Sequence, residues 1–294
     1  MYSVNAMVRA GGAMLVALGA TVVAASVAIV TSILYALCLN PLSGHRIPNP
    51  FVRIPKWWSA FLVRVCYRRI LGVRIVVYGT VAPAREGETI LVVGNHPSSL
   101  GLPLIGWAVT HYLASHMVAI GKRQQAWNPF IGWPLIVLRS VILVDQSNRE
   151  AARASIRIGL RTLAHTARVL LILPDTHRPT RERIASDRQR FMDRIPGIGT
   201  WLRYTLVPRT GGLSEILVGV DRAMRVVHMT SAFDVEEGSI FDAARIVGRT
   251  YSIDLEEHHG EPLPRVPTVL EMTLNDLWER KNIRIAEWRG ETLR

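Results

Sequence analysis

The sequence has little lysine, little cysteine and no acidic residue in its first 85 positions. Lysine occurs only as Lys56, Lys122 and Lys281, so the formal charge of +12 comes mainly from arginines scattered along the 294 residues. There is no Lys/Arg block and no aromatic-basic repeat, which argues against a nucleic-acid partner. The charge instead indicates an anionic membrane surface or anionic small molecules. Cys38 and Cys66 lack metal-ligand spacing and are interpreted as packing residues.

Charge of either sign is missing from a long N-terminal stretch. No charged side chain occurs from Ala10 to Gly44, and Ala, Val, Leu and Ile dominate there. The stretch can span a bilayer as a tilted helix, whereas a cleavable signal peptide has a shorter apolar core followed by polar residues. We therefore predict a retained transmembrane anchor over residues 1–46.

Basic residues flank this anchor unequally. Arg9 precedes it, and the basic residues that follow it are Arg46, Arg53, Lys56, Arg64, Arg68 and Arg69. By the positive-inside rule, the main domain of a single-pass protein is then expected on the cytosolic or matrix face. The lack of acidic residues before Glu86 fits both import into an organelle and an anchor followed by a basic interfacial helix. The mitochondrial inner membrane and the endoplasmic reticulum both remain open as locations.

Residues 47–72 are predicted to contain an amphipathic helix in the membrane interface. A broad apolar face is expected from Trp57, Trp58, Phe61, Leu62, Val65 and Ile70. Arg64, Arg68 and Arg69 would reach toward lipid headgroups from the other side. The alternative is an ordinary amphipathic helix that packs on the following domain.

From residue 73 to residue 294, short apolar runs alternate with longer helical stretches. The predicted strands are VRIVVYG, TILVVGNH, MVAIGK, SVILVD, VLLILPD, TLVPR and VVHMTSAF. The predicted helices cover residues 100–113, 149–168, 180–194, 211–224 and 268–288. This alternation predicts one α/β domain, with a mostly parallel central sheet flanked by helices. Reactive groups in such sheets lie beyond the carboxyl ends of strands, where His96 and Asp175 are expected.

Each of these residues also has an alternative explanation. His96 could be a buried, hydrogen-bonded histidine, and Asp175 could cap the helix that begins near TRERIASDRQR. Gly101 could let the helix after His96 approach neighbouring backbone closely. His96, Asp175 and His177 are too dispersed in sequence to indicate a metal site, and no helical H-x-x-x-H pair is present.

Three short motifs make the sequence resemble the glycerolipid acyltransferases, which include the lysophosphatidic acid and lysophospholipid acyltransferases. They are NHPSSLG, where the family has Asn-His and then Asp; LILPDTHR, where it has F-P-E-G-T-R; and LVPRTGGL, close to V-P-R-x-x-G-[FL]. The resemblance covers roughly residues 55–290, and family members often carry an N-terminal membrane helix. It also extends to the last segments, VVHMTSAF, YSIDLEE and TLNDLWERKNIRIAEW.

The resemblance implies acyl transfer from a thioester, usually acyl-CoA, to a glycerol hydroxyl. His96 would take the proton of the attacking hydroxyl, and Arg178 with Arg209 would face the substrate phosphate. The implied partners are membrane phospholipids or lysophospholipids, with acyl-CoA as a co-substrate and no further cofactor or metal.

The departures from the family pattern are as informative as the matches. Gly101 stands where the family has the Asp that orients the imidazole. In LILPDTHR only the Pro and Arg178 are kept, and Thr176 replaces the family's Gly. A further family Arg appears as Gln146, and Arg149, three residues on, is the candidate to bind phosphate in its place. If a carboxylate replaces the missing one, the candidates are Asp145 and Asp175, with Asp175 preferred.

Two functions are compatible with this pattern. In the first, the protein is catalytically impaired or inactive and serves as a structural, lipid-binding component of a membrane assembly with protein partners. In the second, it is an active acyl-CoA-dependent lysophospholipid acyltransferase that uses His96 as the general base. The loss of several separate polar groups favours the first.

Overall fold

The computed structural model describes most of the chain. The described residues are 3–34, 53–114, 116–127, 136, 140–145, 147–163, 169–175, 177–220, 224–236, 240–259 and 262–292. Gln146, Thr176 and residues 35–52 lie outside these ranges, so the predictions that concern them stay predictions.

A seven-stranded sheet forms the centre of the described molecule. Its strands are β1 (Arg74–Tyr78), β2 (Ile90–Gly94), β3 (Met117–Lys122), β4 (Val141–Val144), β5 (Val169–Ile172), β6 (Arg225–Phe233) and β7 (Thr250–Glu257). Their order is β1-β7-β6-β2-β5-β3-β4. Only the pair β6 and β7 is antiparallel within this sheet. The predicted α/β fold with a mostly parallel sheet is confirmed.

Helices surround the sheet. They are α1 (Val4–Leu34), α2 (Arg53–Phe61), α3 (Leu102–Ala108), α4 (Arg149–Leu163), α5 (Arg181–Phe191), α6 (Ile198–Trp201), α7 (Thr210–Gly219) and α8 (Pro267–Arg289). Helix α2 continues as a π-helix over Leu62–Ile70, and α3 continues as one over Val109–Leu113. Short 3₁₀ segments cover Arg123–Trp127 and Ile240–Ile246.

The central strand β2 separates two hydrophobic cores. All five of its residues are buried. Ile90 and Val92 belong to the core that contains Leu104 and Tyr251, whereas Leu91 and Val93 belong to the core on the other face. Alternate residues of a strand point to opposite faces, so a strand covered on both faces is apolar throughout. The run TILVVG therefore forms a central strand, and its end is a fixed point on which a site can be built.

Helix α1 packs along the domain with one face. Ala10 and Ala13 belong to the core, and the Trp58 indole N–H donates to Thr21 Oγ1 at 3.2 Å. The other face exposes Val, Leu and Met side chains. The segment Val4–Ala24 is the one described helix that is long and apolar enough to cross a membrane. A membrane span therefore stays a candidate, with the domain packed against part of it.

The segment after α1 also packs on the domain. Leu62 and Cys66 are buried in the core, whereas Trp57 is 55% exposed and Arg64 is exposed. Leu62 was expected on the membrane-facing side, and that expectation is wrong because the π-helix turns it toward α1 and α3. The packing matches the alternative of an amphipathic helix on the domain, and contact with lipid by Trp57 stays a prediction.

The run TLVPR does not form a strand. Residues 205–209 are irregular, because Pro208 has no N–H and two of the other main-chain donors bond outside the sheet. The Val207 N–H donates to Asp187 Oδ2 at 3.0 Å, and the Arg209 N–H donates to the Pro174 carbonyl at 2.9 Å. The segment instead ties α5 and the loop after β5 together.

Candidate functional site

His96 and Asp175 lie side by side at the carboxyl edge of the sheet. Strands β2 and β5 are parallel neighbours, with Val93 paired with Ile172. His96 and Asp175 each follow three residues after these partners. The ends of neighbouring parallel strands open onto one edge, so both residues reach the same crevice.

Asn95 holds the loop that carries His96. Its side-chain Nδ2 donates to the Ser231 carbonyl at 2.9 Å, and its Oδ1 accepts from the Ser231 N–H at 2.9 Å. Asn95 is 1% exposed, so both bonds are sheltered from water. The amide thus continues the ladder between β2 and β6 by one step. Asn95 had no predicted role of its own, although an amide directly beside a candidate base was a usable signal in the sequence.

Asp175 contacts the main chain of His96. The His96 N–H lies 2.9 Å from both carboxylate oxygens of Asp175, which is 1% exposed. Burial raises the pKa of Asp175 to about 7, against the opposing effects of the His96 N–H and the positive charge of Lys281. The carboxylate therefore positions the loop that carries the base.

Asp175 does not orient the imidazole, contrary to the preferred prediction. Both of its oxygens face the main-chain N–H, because the loop after β5 brings the carboxylate beneath the His96 backbone. Asp175 also does not cap α5, whose N-cap is Thr180. Asp145 is no replacement either, since its oxygens accept from the Ser147 N–H at 2.9 Å and from Arg123 at 3.3 Å.

The His96 imidazole borders the cavity in its neutral form. Burial lowers the pKa of His96 to about 4, with further contributions from Lys122, His177 and Arg178. The ring nitrogen Nδ1 is buried and has no hydrogen-bond partner in the part of the chain that the structure describes. A neutral imidazole can accept a proton, but no carboxylate here stabilises the imidazolium that would form.

Gly101 stands where neighbouring atoms leave no space for a side chain. A Cβ at this position would lie 2.6 Å from Pro97 Cγ and 2.8 Å from Tyr251 Oη. Tyr251 is fully buried, and its hydroxyl donates to the Gly101 carbonyl at 3.4 Å. Gly101 therefore lies close to its neighbours, but these are side chains and not the backbone that the sequence suggested. The tyrosine on β7 occupies the space into which a side chain at residue 101 would extend.

A cavity of about 490 Å³ opens beside His96. One part is apolar and includes Ile105, Met117, Ile120, Val141 and Ile156. Trp58 also lines it, so the cavity reaches the helix that packs against α1. Its size and apolar lining fit an extended hydrocarbon chain.

The other part of the cavity wall is cationic. It contains the predicted phosphate-binding residues Arg149, Arg178 and Arg209. The same wall contains Lys122, Arg153, His177 and Arg183, which the sequence analysis did not propose as ligand-binding residues. Guanidinium and ammonium groups that line one cavity suit a phosphate or carboxylate.

Lys122 is the most informative of the residues that the sequence analysis missed. It ends β3, and its Nζ lies 3.0 Å from His177 Nδ1. Burial lowers the pKa of Lys122, and Arg183 acts in the same direction. It is one of only three lysines in an arginine-rich chain, which was the signal available in the sequence.

Arg209 is held in place by its own partners. Its NH2 lies 3.3 Å from Asp187 Oδ1, and its guanidinium lies 5.0 Å from the centre of the Phe191 ring. Asp187 contacts only one nitrogen of the Arg209 guanidinium, so the other nitrogens can face a ligand in the cavity. Asp187 thus helps to position the cationic wall, a role that was not predicted from the sequence.

Residues 74–220 match the family model described as Acyltransferase. The chain belongs to the acyltransferase family. The match covers the strands that carry His96 and Asp175 and extends through the Arg209 segment, so the family's motifs and the cavity coincide. The resemblance to glycerolipid acyltransferases is confirmed.

A solved structure of a glycerolipid acyltransferase has the same fold. It is the crystal structure of the 1-acyl-sn-glycerophosphate (LPA) acyltransferase PlsC from Thermotoga maritima, with a TM-score of 0.50 and 11% sequence identity. The likeness covers 90% of this chain and 96% of that one. A comparison with curated protein sequences finds no match.

This acyltransferase-family site therefore keeps the histidine and the cationic wall without the imidazole's carboxylate partner. Among the described residues, no three His, Cys, Asp or Glu side chains come together as a group able to hold a metal ion. The lining combines cationic side chains, which suit an anionic group, with apolar side chains, which suit a hydrocarbon chain.

Proposed function

We propose that this acyltransferase-family protein binds an anionic glycerolipid in the cavity beside His96 but transfers acyl groups poorly or not at all. It would serve as a structural, lipid-binding component of a membrane assembly that includes protein partners. The chain would cross the membrane once, with its main domain on the cytosolic or matrix face.

The environment of the His96 imidazole is the observation that carries this proposal. Its Nδ1 is buried with no hydrogen-bond partner in the described chain, and the nearby Asp175 is bonded to the main chain. In a Ser-His-Asp triad, loss of the carboxylate's function lowers turnover about ten-thousand-fold. An imidazole that is also surrounded by cations is further disfavoured as a proton acceptor.

The lipid-binding part of the proposal rests on the two halves of the cavity. The cationic wall supplies Arg178 and Arg209 for a phosphate, and the apolar half has room for one acyl chain. Neither function requires proton transfer. A lysophospholipid would satisfy both halves with its single acyl chain, and a phospholipid would keep its second chain outside the cavity.

The second candidate is an active acyl-CoA-dependent lysophospholipid acyltransferase. It is favoured by the position of His96 on the cavity wall and by its low pKa, which keeps the imidazole neutral at pH 7. In this case His96 would take the proton of a glycerol hydroxyl as that oxygen attacks the acyl-CoA thioester. Turnover that depends on His96 distinguishes the two functions.

Binding is tested with purified full-length protein in detergent micelles and a fluorescent lysophosphatidic acid. We expect the wild type to bind it and Arg178→Ala and Arg209→Ala to weaken binding about tenfold each, since each removes a charge-assisted contact to phosphate. The uncharged monoacylglycerol should bind weakly to all forms.

The control for these variants is Arg265→Ala. Arg265 is exposed before α8 and does not line the cavity, so its removal lowers the net charge by the same amount without touching the site. Equal losses in Arg265→Ala and Arg178→Ala would mean that the protein attracts anionic lipid only through its overall charge, which contradicts a specific site.

A further inference from the structure

The described lining of the cavity beside His96 contains no acidic side chain. Its cationic residues are Lys122, Arg149, Arg153, Arg178, Arg183 and Arg209. Lys122, Arg149 and Arg183 form no ion pair with an acidic residue within the described ranges. Cations held near one another repel, so this lining favours a ligand of high negative charge.

Acids outside the lining offset only part of its charge. Asp187 Oδ1 lies 3.3 Å from the Arg209 guanidinium, and Glu215 Oε1 lies 3.2 Å from that of Arg153. Each of these acids therefore offsets one cation of the lining. The positive charge that remains is larger than the charge of about −2 that one phosphate monoester carries.

The first group of cations surrounds the loop after β5. The Arg183 guanidinium donates to the Arg178 carbonyl at 3.3 Å, and the Arg209 N–H donates to a main-chain carbonyl of the same loop at 2.9 Å. Lys122 reaches this loop from β3, with its Nζ 3.0 Å from His177 Nδ1. Contacts with one short loop thus hold four cationic side chains close to each other.

The second group of cations lies on another element, helix α4. Arg149 and Arg153 are four residues apart, so their side chains share one face of the helix. Ala152 and Ile156 belong to the same face, and all four residues line the cavity. The first two turns of α4 therefore present two guanidinium groups to the ligand in addition to those around the loop.

We propose that the lipid held in this cavity carries at least two phosphate groups, the first bound by Arg178 and Arg209 and the second bound on α4 by Arg149 and Arg153. The inference rests on the proposed function and makes its anionic glycerolipid more specific. One phosphate presents three acceptor oxygens, and each guanidinium can bind two oxygens. The group around the loop is therefore sufficient for one phosphate, and the group on α4 needs another.

The experiment measures the binding of two lysophospholipids that differ by a single phosphate. Purified full-length protein in detergent micelles is titrated with lysophosphatidylinositol and with lysophosphatidylinositol 4-phosphate, both with the same acyl chain. We expect the wild type to bind the second lipid at least about tenfold more tightly, because its extra phosphate gains charge-assisted contacts on α4. Lysophosphatidic acid is the reference ligand for the first phosphate site.

Variants on α4 separate the second phosphate site from the overall charge of the protein. Arg149→Gln should remove most of the advantage of the 4-phosphate and leave the binding of lysophosphatidylinositol unchanged. Arg149 is exposed, so this variant should keep the melting temperature of the wild type. Arg157→Gln is the matched control, since Arg157 lies on the same helix and does not line the cavity. Arg178→Ala should weaken the binding of both lipids.

Equal affinity of the wild type for the two inositol lipids would overturn the proposal. So would equal effects of Arg149→Gln and Arg157→Gln, because the 4-phosphate would then be attracted only by net charge. Either result leaves the proposed function intact if lysophosphatidic acid still binds. If lysophosphatidic acid does not bind either, the proposed function fails as well.

Long-chain acyl-CoA is the last ligand in the comparison, because it also joins several phosphates to one acyl chain. We expect it to bind more weakly than lysophosphatidylinositol 4-phosphate and to be insensitive to Arg149→Gln. Tighter binding of acyl-CoA that Arg149→Gln weakens would overturn the proposal, since the cations on α4 would then serve the co-substrate and not a second headgroup phosphate.

Discussion

The crowding around Gly101 leaves no space for a side chain at this position. Its φ of −78° is ordinary for any residue, so glycine is required here by contact and not by backbone conformation. The atoms nearest to a Cβ built at residue 101 belong to Pro97 and to the Tyr251 hydroxyl. Pro97 and Tyr251 occupy the space that a carboxylate at residue 101 would need. Restoring a carboxylate there therefore needs more than one substitution.

Gly101→Ala should destabilise the protein by about 1–3 kcal/mol, because the added methyl overlaps rigid or fully buried neighbours. Gly199→Ala is the matched control, since nothing lies within 4 Å of the Cβ that it would add. Chemical denaturation measures both. For the same reason Gly101→Asp alone should not raise acyl transfer. Adding Tyr251→Phe to Gly101→Ala should recover part of the stability that Gly101→Ala loses. Equal stability of the two alanine variants would contradict the crowding.

The depressed pKa of His96 makes a pH-dependent contribution to stability. The folded-state pKa is about 4 and the unfolded value is 6.5, so the folded state resists protonation. Stability from His96 is fully present above pH 6.5 and is lost as the pH falls toward 4, by about 2–3 kcal/mol. His96→Gln should therefore lose less stability than the wild type between pH 7 and 4, measured by denaturant unfolding. A steeper loss in His96→Gln would contradict the assigned pKa direction.

At the scale of elements, the edge of the sheet is held together by one side-chain amide and by a backbone bond between two loops. Asn95 extends the β2 and β6 ladder, and the Arg209 N–H closes onto the Pro174 carbonyl. These bonds fix the ends of three segments that carry the family motifs. The strands form the scaffold, and the short connecting segments determine where each functional group lies.

Asn95→Ala should destabilise the protein by about 2–3 kcal/mol, because it leaves the buried N–H and carbonyl of Ser231 without these partners. Asn148→Ala is the matched control. Asn148 makes one exposed bond to the Ala151 N–H at the start of α4, worth about 1 kcal/mol. Thermal unfolding of the two variants side by side measures the difference. A smaller loss in Asn95→Ala than in Asn148→Ala would contradict the role of the Asn95 amide.

The sequence was sufficient for the elements and for part of the site. Six of the seven apolar runs form strands in the parallel-rich sheet, because a strand buried on both faces has a recognisable composition. The prediction of a strand at TLVPR was wrong because the main-chain N–H groups of this run bond to Asp187 and Pro174, which are distant in sequence. The proximity of His96 and Asp175 follows from strand ends, but which atoms meet depends on loop geometry. Lys281 contacts the Val93 carbonyl across more than a hundred residues, which no local pattern reveals.

At the scale of the whole molecule, the candidate membrane span α1 also packs against the domain. The Arg9 side chain donates to the Ile70 carbonyl at 2.5 Å, and Ala10 and Ala13 complete the core around Leu62. The cavity reaches Trp58, which α1 touches through Thr21. The candidate span α1 therefore contacts the helix that carries Trp58, and Trp58 in turn lines the cavity.

Deletion of residues 1–46 should both release the protein from membranes and destabilise the domain, because it removes the whole apolar stretch and uncovers the core side chains beneath Ala10 and Ala13. Carbonate extraction measures the first effect and limited proteolysis the second. The comparison is a variant with Val22, Val23 and Val27 changed to Ser, all of them exposed on α1. It should weaken membrane attachment and leave proteolysis unchanged. A deletion variant as resistant to protease as the wild type would contradict the packing role of α1.

The central claim is that the chain keeps an acyltransferase cavity in which His96 lacks the support needed for efficient transfer. The most direct measurement is turnover of radiolabelled acyl-CoA with a panel of lysophospholipids by purified wild type and His96→Ala. We predict rates at least about two to four orders of magnitude below a typical enzyme turnover of about 10 s⁻¹, with little difference between the two proteins. Rapid turnover by the wild type that His96→Ala abolishes would contradict the account.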